Sequence, residues 1–299
     1  MGKETKSLLN TDGYRFQATT TNYSEKDAAL YALSIGASED PLEKSDLKFT
    51  YELSPSGFSC FPTFATTFPL QTLEQIGSIP EQKLNLMEVL HGEHYLELFR
   101  PLPAAATIKN QAEISHVYDK GSGALIMVDI TSTDQHGDPV AFNQASLFVR
   151  GRGNFGGDRG PSSRLVHPPQ RAADDVWREK TAANQALFYR LTSGDRNPLH
   201  ADTRFAALLG FPQPILHGLC TYGYAARANL KTFSANDPLR FKSIQARFSS
   251  HIFPGETIET EMWRESDTRI LFRCRVIERD QIILSNGVFT LHPERESKG

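Results

Sequence analysis

The stretch that decides the fold begins with GLCTYGYAARANLKT (218–232) and continues through FKSIQARFSSH (241–251), TIETEMW (257–263), RILFRCRVIE (269–278) and QIILSNGVFTLH (281–292). In the first piece Leu219, Tyr222, Ala226 and Leu230 recur at three- and four-residue intervals, so they share one face of a helix that opens at Gly218. The remaining four pieces are short and rich in β-branched and aromatic residues, and Asp280 marks a turn between the last two. One helix followed by a run of strands excludes the regular strand–helix alternation of a doubly wound parallel sheet. An antiparallel meander long enough to curl around a helix is the hot-dog architecture.

Working outward, the same order of elements appears earlier in the chain. Strands are predicted at 93–99, 107–119, 124–133 and 140–150, punctuated by KGSG (120–123) and HGDP (136–139). Helices are predicted at 24–35 in the first half and at 184–191 and 198–209 in the second, the last stopped by Gly210. Three pairs of segments match in sequence order: YALSIG (31–36) with YRLTSG (189–194), PAAATI (103–108) with PGETI (254–258), and NQASLF (143–148) with NGVFTL (286–291). Such self-similarity indicates duplication of one unit. The predicted fold is therefore α+β, a double hot dog: two antiparallel sheets, each wrapped around a helix. The join is GRGNFGGDRGPSSRLVHPPQ (151–170), rich in Gly and Pro, which reads as a linker. The domains expected are an N-terminal copy over 1–150 and a C-terminal copy over 171–299.

Composition narrows the function classes. The 299 residues are 39% hydrophobic with 19 Phe, enough for a sizeable core. A net charge of -3 offers nothing to a polyanion, so nucleic acid is not expected as a partner. The longest aliphatic run spans 124–128, far short of the ~20 residues that cross a bilayer. Cys60, Cys220 and Cys274 are odd in number and widely separated, consistent with a reducing compartment. The opening MGKETKSLLN lacks a secretory signal, and its Gly2 and Lys3 only loosely approach a myristoylation start, with Ser7 one position late. The terminal ESKG is not a Ser-Lys-Leu address.

The densest polar cluster is SGDRNPLHAD (193–202). Asn197 before Pro198 reads as a helix cap with proline in the first turn. His200 then falls where the helix dipole disfavours added positive charge, which predicts a neutral imidazole able to act as a base. Asp195 lies just before the cap, where the chain can fold it back toward that imidazole. A carboxylate and a neutral imidazole converging on one point can hold a water and move its protons. The plainer alternative is that Asp195 and Asn197 merely cap a helix. A second cluster, PILHGL (214–219), ends an apolar run at the start of the longest helix. The unpaired N–H of Gly218 there is a candidate oxyanion donor. Against this, His217 could be a satisfied core histidine and Gly218 a packing glycine.

Other patterns carry less. GRGNFG (151–156) matches a dinucleotide fingerprint, but GDRGP (157–161) cannot open the helix that a pyrophosphate needs. HGEH (91–94) lacks a third metal ligand, and His200, Asp202 and His217 have no spacing that enforces a zinc site. Ser193-Gly194-Asp195 is not a nucleophile elbow.

The run from Tyr189 to His200, followed by PILHGLCT (214–221), resembles the hydratase 2 motif of R-specific enoyl-CoA hydratases, which are MaoC-like dehydratases. YALSIGA (31–37), FSCFPTF (58–64) and VLHGE (89–93) resemble the two-copy eukaryotic members, as in the hydratase part of peroxisomal multifunctional enzymes of type 2. The resemblance implies reversible hydration of a trans-2-enoyl-CoA to the (3R)-3-hydroxyacyl-CoA in fatty-acid β-oxidation, with no metal and no redox cofactor. It implies Asp195 and His200 as the catalytic pair, Asn197 positioning water or substrate, and Gly218 as oxyanion donor. His217, Asp202, Tyr189, Tyr31 and Glu52 would support the site, and His91 and Gly92 would line the CoA groove. The first copy, which has ASEDP (37–41) in place of the catalytic run, would instead accommodate the acyl chain. A free-standing hydratase without dehydrogenase or sterol-carrier parts, a peroxisomal location with the cytoplasm as alternative, and a homodimer by analogy are the remaining expectations. The rival functions are a thioesterase on the same fold, a non-catalytic acyl-CoA binder, and a dehydratase acting on acyl carrier protein.

Overall fold

The structure is a computed structural model that describes residues 8–40, 42–79, 82, 84–161 and 166–294. The readings made on Gly2, Lys3 and Ser7, on residues 162–165 of the linker and on the last five residues lie outside the described residues.

The first half contains β1 (Thr19–Tyr23), α1 (Glu25–Ser34), the single-turn helices α2 (Leu47–Thr50) and α3 (Leu70–Leu73), and then β2 (Val89–Leu98), β3 (Ala106–Asp119), β4 (Gly123–Thr133) and β5 (Pro139–Arg150). The second half contains β6 (Asp175–Lys180), α4 (Gln185–Ser193), α5 (Thr203–Leu208) and α6 (Gly218–Ser234), then β7 (Phe241–Phe248), β8 (Thr257–Ser266), β9 (Arg269–Val276) and β10 (Gln281–Leu291). The order of elements repeats, as the duplicated segments suggested.

The two expected sheets are joined edge to edge. All ten strands form one antiparallel sheet in the order β1-β3-β4-β5-β2-β7-β10-β9-β8-β6. Reading outward from the β2–β7 seam gives the same succession on both sides, so the halves are related by a pseudo-dyad at that seam. There Glu93 lies opposite Arg247, Tyr95 opposite Gln245 and Glu97 opposite Ser243. The pairing satisfies the edge that each half would otherwise expose. Sequence periodicity missed β1 and β6 because they are the outer edges. Each pairs on one side only, and TTTNY and DVWREK are polar.

The second half follows the predicted architecture. Helix α6 is buried on nearly every side, and a Cβ at Gly223 would lie 2.5 Å from Ile35 Cγ2, so glycine permits the first half to press against the helix. The first half has no counterpart of that length among the described residues. Its chain between α1 and β2 passes through 3-10 turns at Pro62–Thr66 and Glu74–Ser78 instead. Pro62 opens the first of these turns, whereas Pro69, inside the segment, removes a backbone donor and would clash with the turn before it, which prevents a continuous helix. Phe61, Phe64 and Phe68 fill the space, all buried.

The halves are clamped by buried polar contacts. Asp46 of the first half, 2% exposed, receives Arg227 Nη2 at 3.3 Å, Lys231 Nζ at 2.8 Å and Asn236 Nδ2 at 2.9 Å from the second. Arg227 also donates to the Ile35 carbonyl and to Glu179. The stretch after β5 is tied to the first half: the Asp119 carboxylate accepts from the N–H groups of Asn154 and Gly156. The GxGxxG lookalike thus spends amides on an internal carboxylate, and among the described residues no helix opens directly after it.

Candidate active site

The site is built where α4 ends and α6 begins. Gly194 takes the left-handed conformation (φ 77°) after Ser193, which turns the chain out of α4 and delivers Asp195. Asp195 Oδ1 accepts from Asn197 N at 2.8 Å, and Asn197 Oδ1 in turn accepts from Leu199 N at 3.1 Å. This caps a 3-10 turn, Pro198–His200, with proline in its first position. The helix predicted over 198–209 is in fact two pieces. A second cap at Asp202 starts α5, and its carboxylate pairs with the Arg204 side chain at 3.0 Å.

His200 is 9% exposed. Its Nδ1 lies 2.9 Å from the Ile215 carbonyl, which can only accept, so Nδ1 carries the proton and Nε2 presents a lone pair. Burial holds the imidazole below its ordinary pKa, opposed by the nearby Asp195 carboxylate. A neutral ring was expected, but the reason differs: the turn is three residues long and His200 closes it, so desolvation rather than a helix dipole is the cause.

His217 stacks on His200 with ring centroids 3.7 Å apart and planes inclined by 25°. Burial and the neighbouring His200 push it well below the ordinary imidazole range. Its Nε2 lies 3.8 Å from Asp195 Oδ2, a close polar approach of a neutral ring rather than an ion pair. Behind it stand Tyr189, 4.9 Å from His217 between centroids, and Tyr31, 6.1 Å from Tyr189. Tyr31 donates to Thr63 Oγ1 at 2.9 Å. The Tyr189 hydroxyl and both His217 ring nitrogens are buried without a hydrogen-bond partner among the described residues. Unpaired buried polar atoms are costly, so their concentration here marks a place that a polar group must fill.

Gly218 is the first residue of α6, so its N–H has no acceptor within the helix. A Cβ there would meet Phe248 Cδ1 at 2.8 Å. Glycine is required by that close ring, not by backbone conformation. Phe248 also touches His91, centroids 4.9 Å apart, which brings the first half to the same place. Gly92 sits at a β-bulge between β2 and β5.

Asp195, His200 and His217 each bring a donor atom within 4.8 Å of the others. A metal ion suits them poorly. His200 Nδ1 is committed to a carbonyl, and two nearly parallel stacked rings cannot both aim an in-plane lone pair at one ion within the roughly 2 Å reach of a Zn–N bond. Donor atoms within 4.8 Å of one another are inside the span of two water hydrogen bonds of about 2.8 Å each, whose geometry is more permissive.

The structure thus brings together Asp195, His200, His217, Gly218, Tyr189 and Tyr31. Three expected residues stand apart from the cluster. Asp202 caps α5 and pairs with Arg204. Asn197 is exposed, with its carbonyl oxygen committed to the turn. Glu52 is exposed in the turn after α2, and no contact among the described residues joins it to the cluster. Phe248, Thr63 and the Ile215 carbonyl were not anticipated, since each takes part only through tertiary contact.

Residues 21–151 match a family described as MFE-2 hydratase 2 N-terminal domain, and residues 165–285 match the MaoC like domain. The chain is 42% identical over 297 residues to a probable enoyl-CoA hydratase 2 of Dictyostelium discoideum, covering 98% of both. It is 42% identical to peroxisomal multifunctional enzyme type 2 of Mus musculus, covering 97% of this chain and 39% of that protein. The crystal structure of a MaoC-like dehydratase from Phytophthora capsici superposes with a TM-score of 0.83 at 37% identity, covering 97% of this chain and 99% of that one.

Proposed function

The chain belongs to the enoyl-CoA hydratase 2 family, and from that premise we propose that it adds water reversibly to a trans-2-enoyl-CoA, giving the (3R)-3-hydroxyacyl-CoA. The observation that carries the reading is the pairing of a neutral His200, anchored through Nδ1 to the Ile215 carbonyl, with the Asp195 carboxylate near the Gly218 N–H, which has no acceptor within its own helix. The Gly218 N–H donates to the thioester oxygen and stabilises its growing negative charge, which makes C3 electrophilic. One water gripped by Asp195 and His200 supplies both parts of the product. The Asp195–His200 pair takes one proton as a water O–H bond breaks, the oxygen bonds to C3, the C2–C3 π electrons move onto C2 and toward the thioester oxygen, and the pair returns the proton to C2. His217, whose Nε2 lies 3.8 Å from Asp195 Oδ2, and Tyr189 behind it form the polar back wall.

The division of labour follows the duplication. Residues 1–150 form a non-catalytic half that accommodates the acyl chain, 151–170 connect, and 171–299 carry the chemistry; the proline-broken segment at 62–78, where the second half has α6, supports this assignment. Gly92 lines the CoA approach, and His91 beside it is turned inward onto His94 and Phe248. Asp202 acts by holding α5, and Asn197 by shaping the turn that presents Asp195. The peroxisomal relative supports a peroxisomal location within fatty-acid β-oxidation. No helix among the described residues is long and apolar enough to cross a membrane. A homodimer would need a surface other than the β2 and β7 edges, which pair inside the chain.

The deciding experiment follows loss of the conjugated enoyl-thioester absorbance, with chiral analysis of the product. A 3R alcohol is expected. Hydrolysis also abolishes that band, so the products decide: release of free thiol and an enoic acid, with no 3-hydroxyacyl thioester formed, would overturn the reading in favour of a thioesterase.

A further inference from the structure

The first half contains a polar relay that the reaction does not use directly. Asn143 donates through Nδ2 to the Ala65 carbonyl at 3.2 Å, so its Oδ1 is the acceptor facing His94 Nε2 at 2.9 Å. His94 Nε2 therefore carries the proton, and its Nδ1 accepts from His91 Nε2 at 3.2 Å. Burial holds His91 at about 3 and His94 at about 4, so both rings are neutral and the tautomers are fixed. Residues three apart on a regular strand face opposite sides; the bulge at Gly92 adds the residue that turns His91 and His94 to one face. The relay ends on Phe248, edge-on to His91, and Phe248 covers Gly218.

We propose that His91 is a positioning residue: the Asn143–His94–His91 relay of the catalytically silent half fixes Phe248 against Gly218 and thereby sets the geometry of the oxyanion donor in the other half. The inference rests on the hydratase reading of Gly218.

The test is a double-mutant cycle between His91→Ala and Phe248→Ala, measured as kcat and KM with a trans-2-enoyl-CoA on the full chain. Each single change lowers kcat about tenfold, within what a displacement of about 1 Å near a reacting centre costs. KM changes little, and the double variant is no worse than Phe248→Ala alone. His94→Leu matches His91→Ala, while His94→Gln, whose amide both donates and accepts, restores kcat. The Gly218 amide NMR resonance reports ring-current contact independently of turnover, and it shifts in His91→Ala. Additive losses in the cycle, or a Gly218 resonance unmoved by His91→Ala, overturn the relay. A wild-type enzyme that fails to hydrate overturns the parent reading instead, and the Gly218 resonance still decides whether His91 is coupled to Phe248 and Gly218.

Discussion

Replacing His200 with Asn separates chemistry from structure. The Asn amide nitrogen occupies nearly the place of Nδ1, so the 2.9 Å bond to the Ile215 carbonyl is kept while the Nε2 lone pair is removed. What is lost from the fold is the stack on His217 at 3.7 Å, worth about 0.5–1.5 kcal/mol for an aromatic pair. What is lost from the reaction is an acid–base group, typically ~10²–10⁴ in rate, or about 3–5 kcal/mol of transition-state stabilisation. His200→Asn should therefore fold, unfold a few degrees below the wild type, bind a saturated acyl-CoA normally, and turn over at least a hundred times more slowly. His200→Ala should add a stability loss of about 1–3 kcal/mol, because the Ile215 carbonyl is left without its partner. The assays are the enoyl absorbance decay, calorimetric binding of the saturated ligand and thermal unfolding. His200→Asn with kcat within threefold of wild type would refute the role of Nε2. Lost binding in a folded variant would show that His200 acts on substrate affinity instead.

Further outcomes follow from the same geometry. Four imidazoles (His91, His94, His200 and His217) are held neutral below the unfolded value of about 6.5, so their contribution to stability is complete above that pH. It is lost as pH falls, by up to about 1.4 kcal/mol per pH unit for each ring that protonates on unfolding, so the thermal midpoint should drop between pH 6.5 and 4; a midpoint flat to pH 5 would contradict this. Gly218→Ala forces a Cβ to 2.8 Å from Phe248, an overpacking cost of about 1–3 kcal/mol, and should lower kcat/KM about 10²-fold, read in the hydration assay. Asp46→Ala strips Arg227 and Lys231 of a buried partner and should cost about 3–5 kcal/mol in denaturant unfolding. Asp202→Ala and Glu52→Ala should leave kcat near wild type, the first with a modest fall in melting temperature; a hundredfold kcat loss in either would return that residue to the site.

Much of this was written in local sequence, and the boundary follows the range of the forces involved. The cap at Asn197-Pro198, the helix starting at Gly218 and the strands of the two meanders depend on neighbours within a few residues, so their periodicity and capping chemistry are visible along the chain. The half-to-half correspondence was visible for the same reason, as repeated local patterns. Edge strands β1 and β6 were not, because pairing on one side imposes no alternation. The first half's lack of a long helix among the described residues is written locally in Pro69, where duplication alone would place a helix. Only the tertiary structure decided what charge and contact depend on at long separation. The stacking of His217 on His200, the neutrality of His200 through burial, the contact of Phe248 with Gly218, the bulge that pairs His91 with His94, and the closing of the sheet between β2 and β7 all join groups that are brought together by packing. Sequence fixes which groups are available, and burial decides which of them lose their water and acquire the properties a site needs.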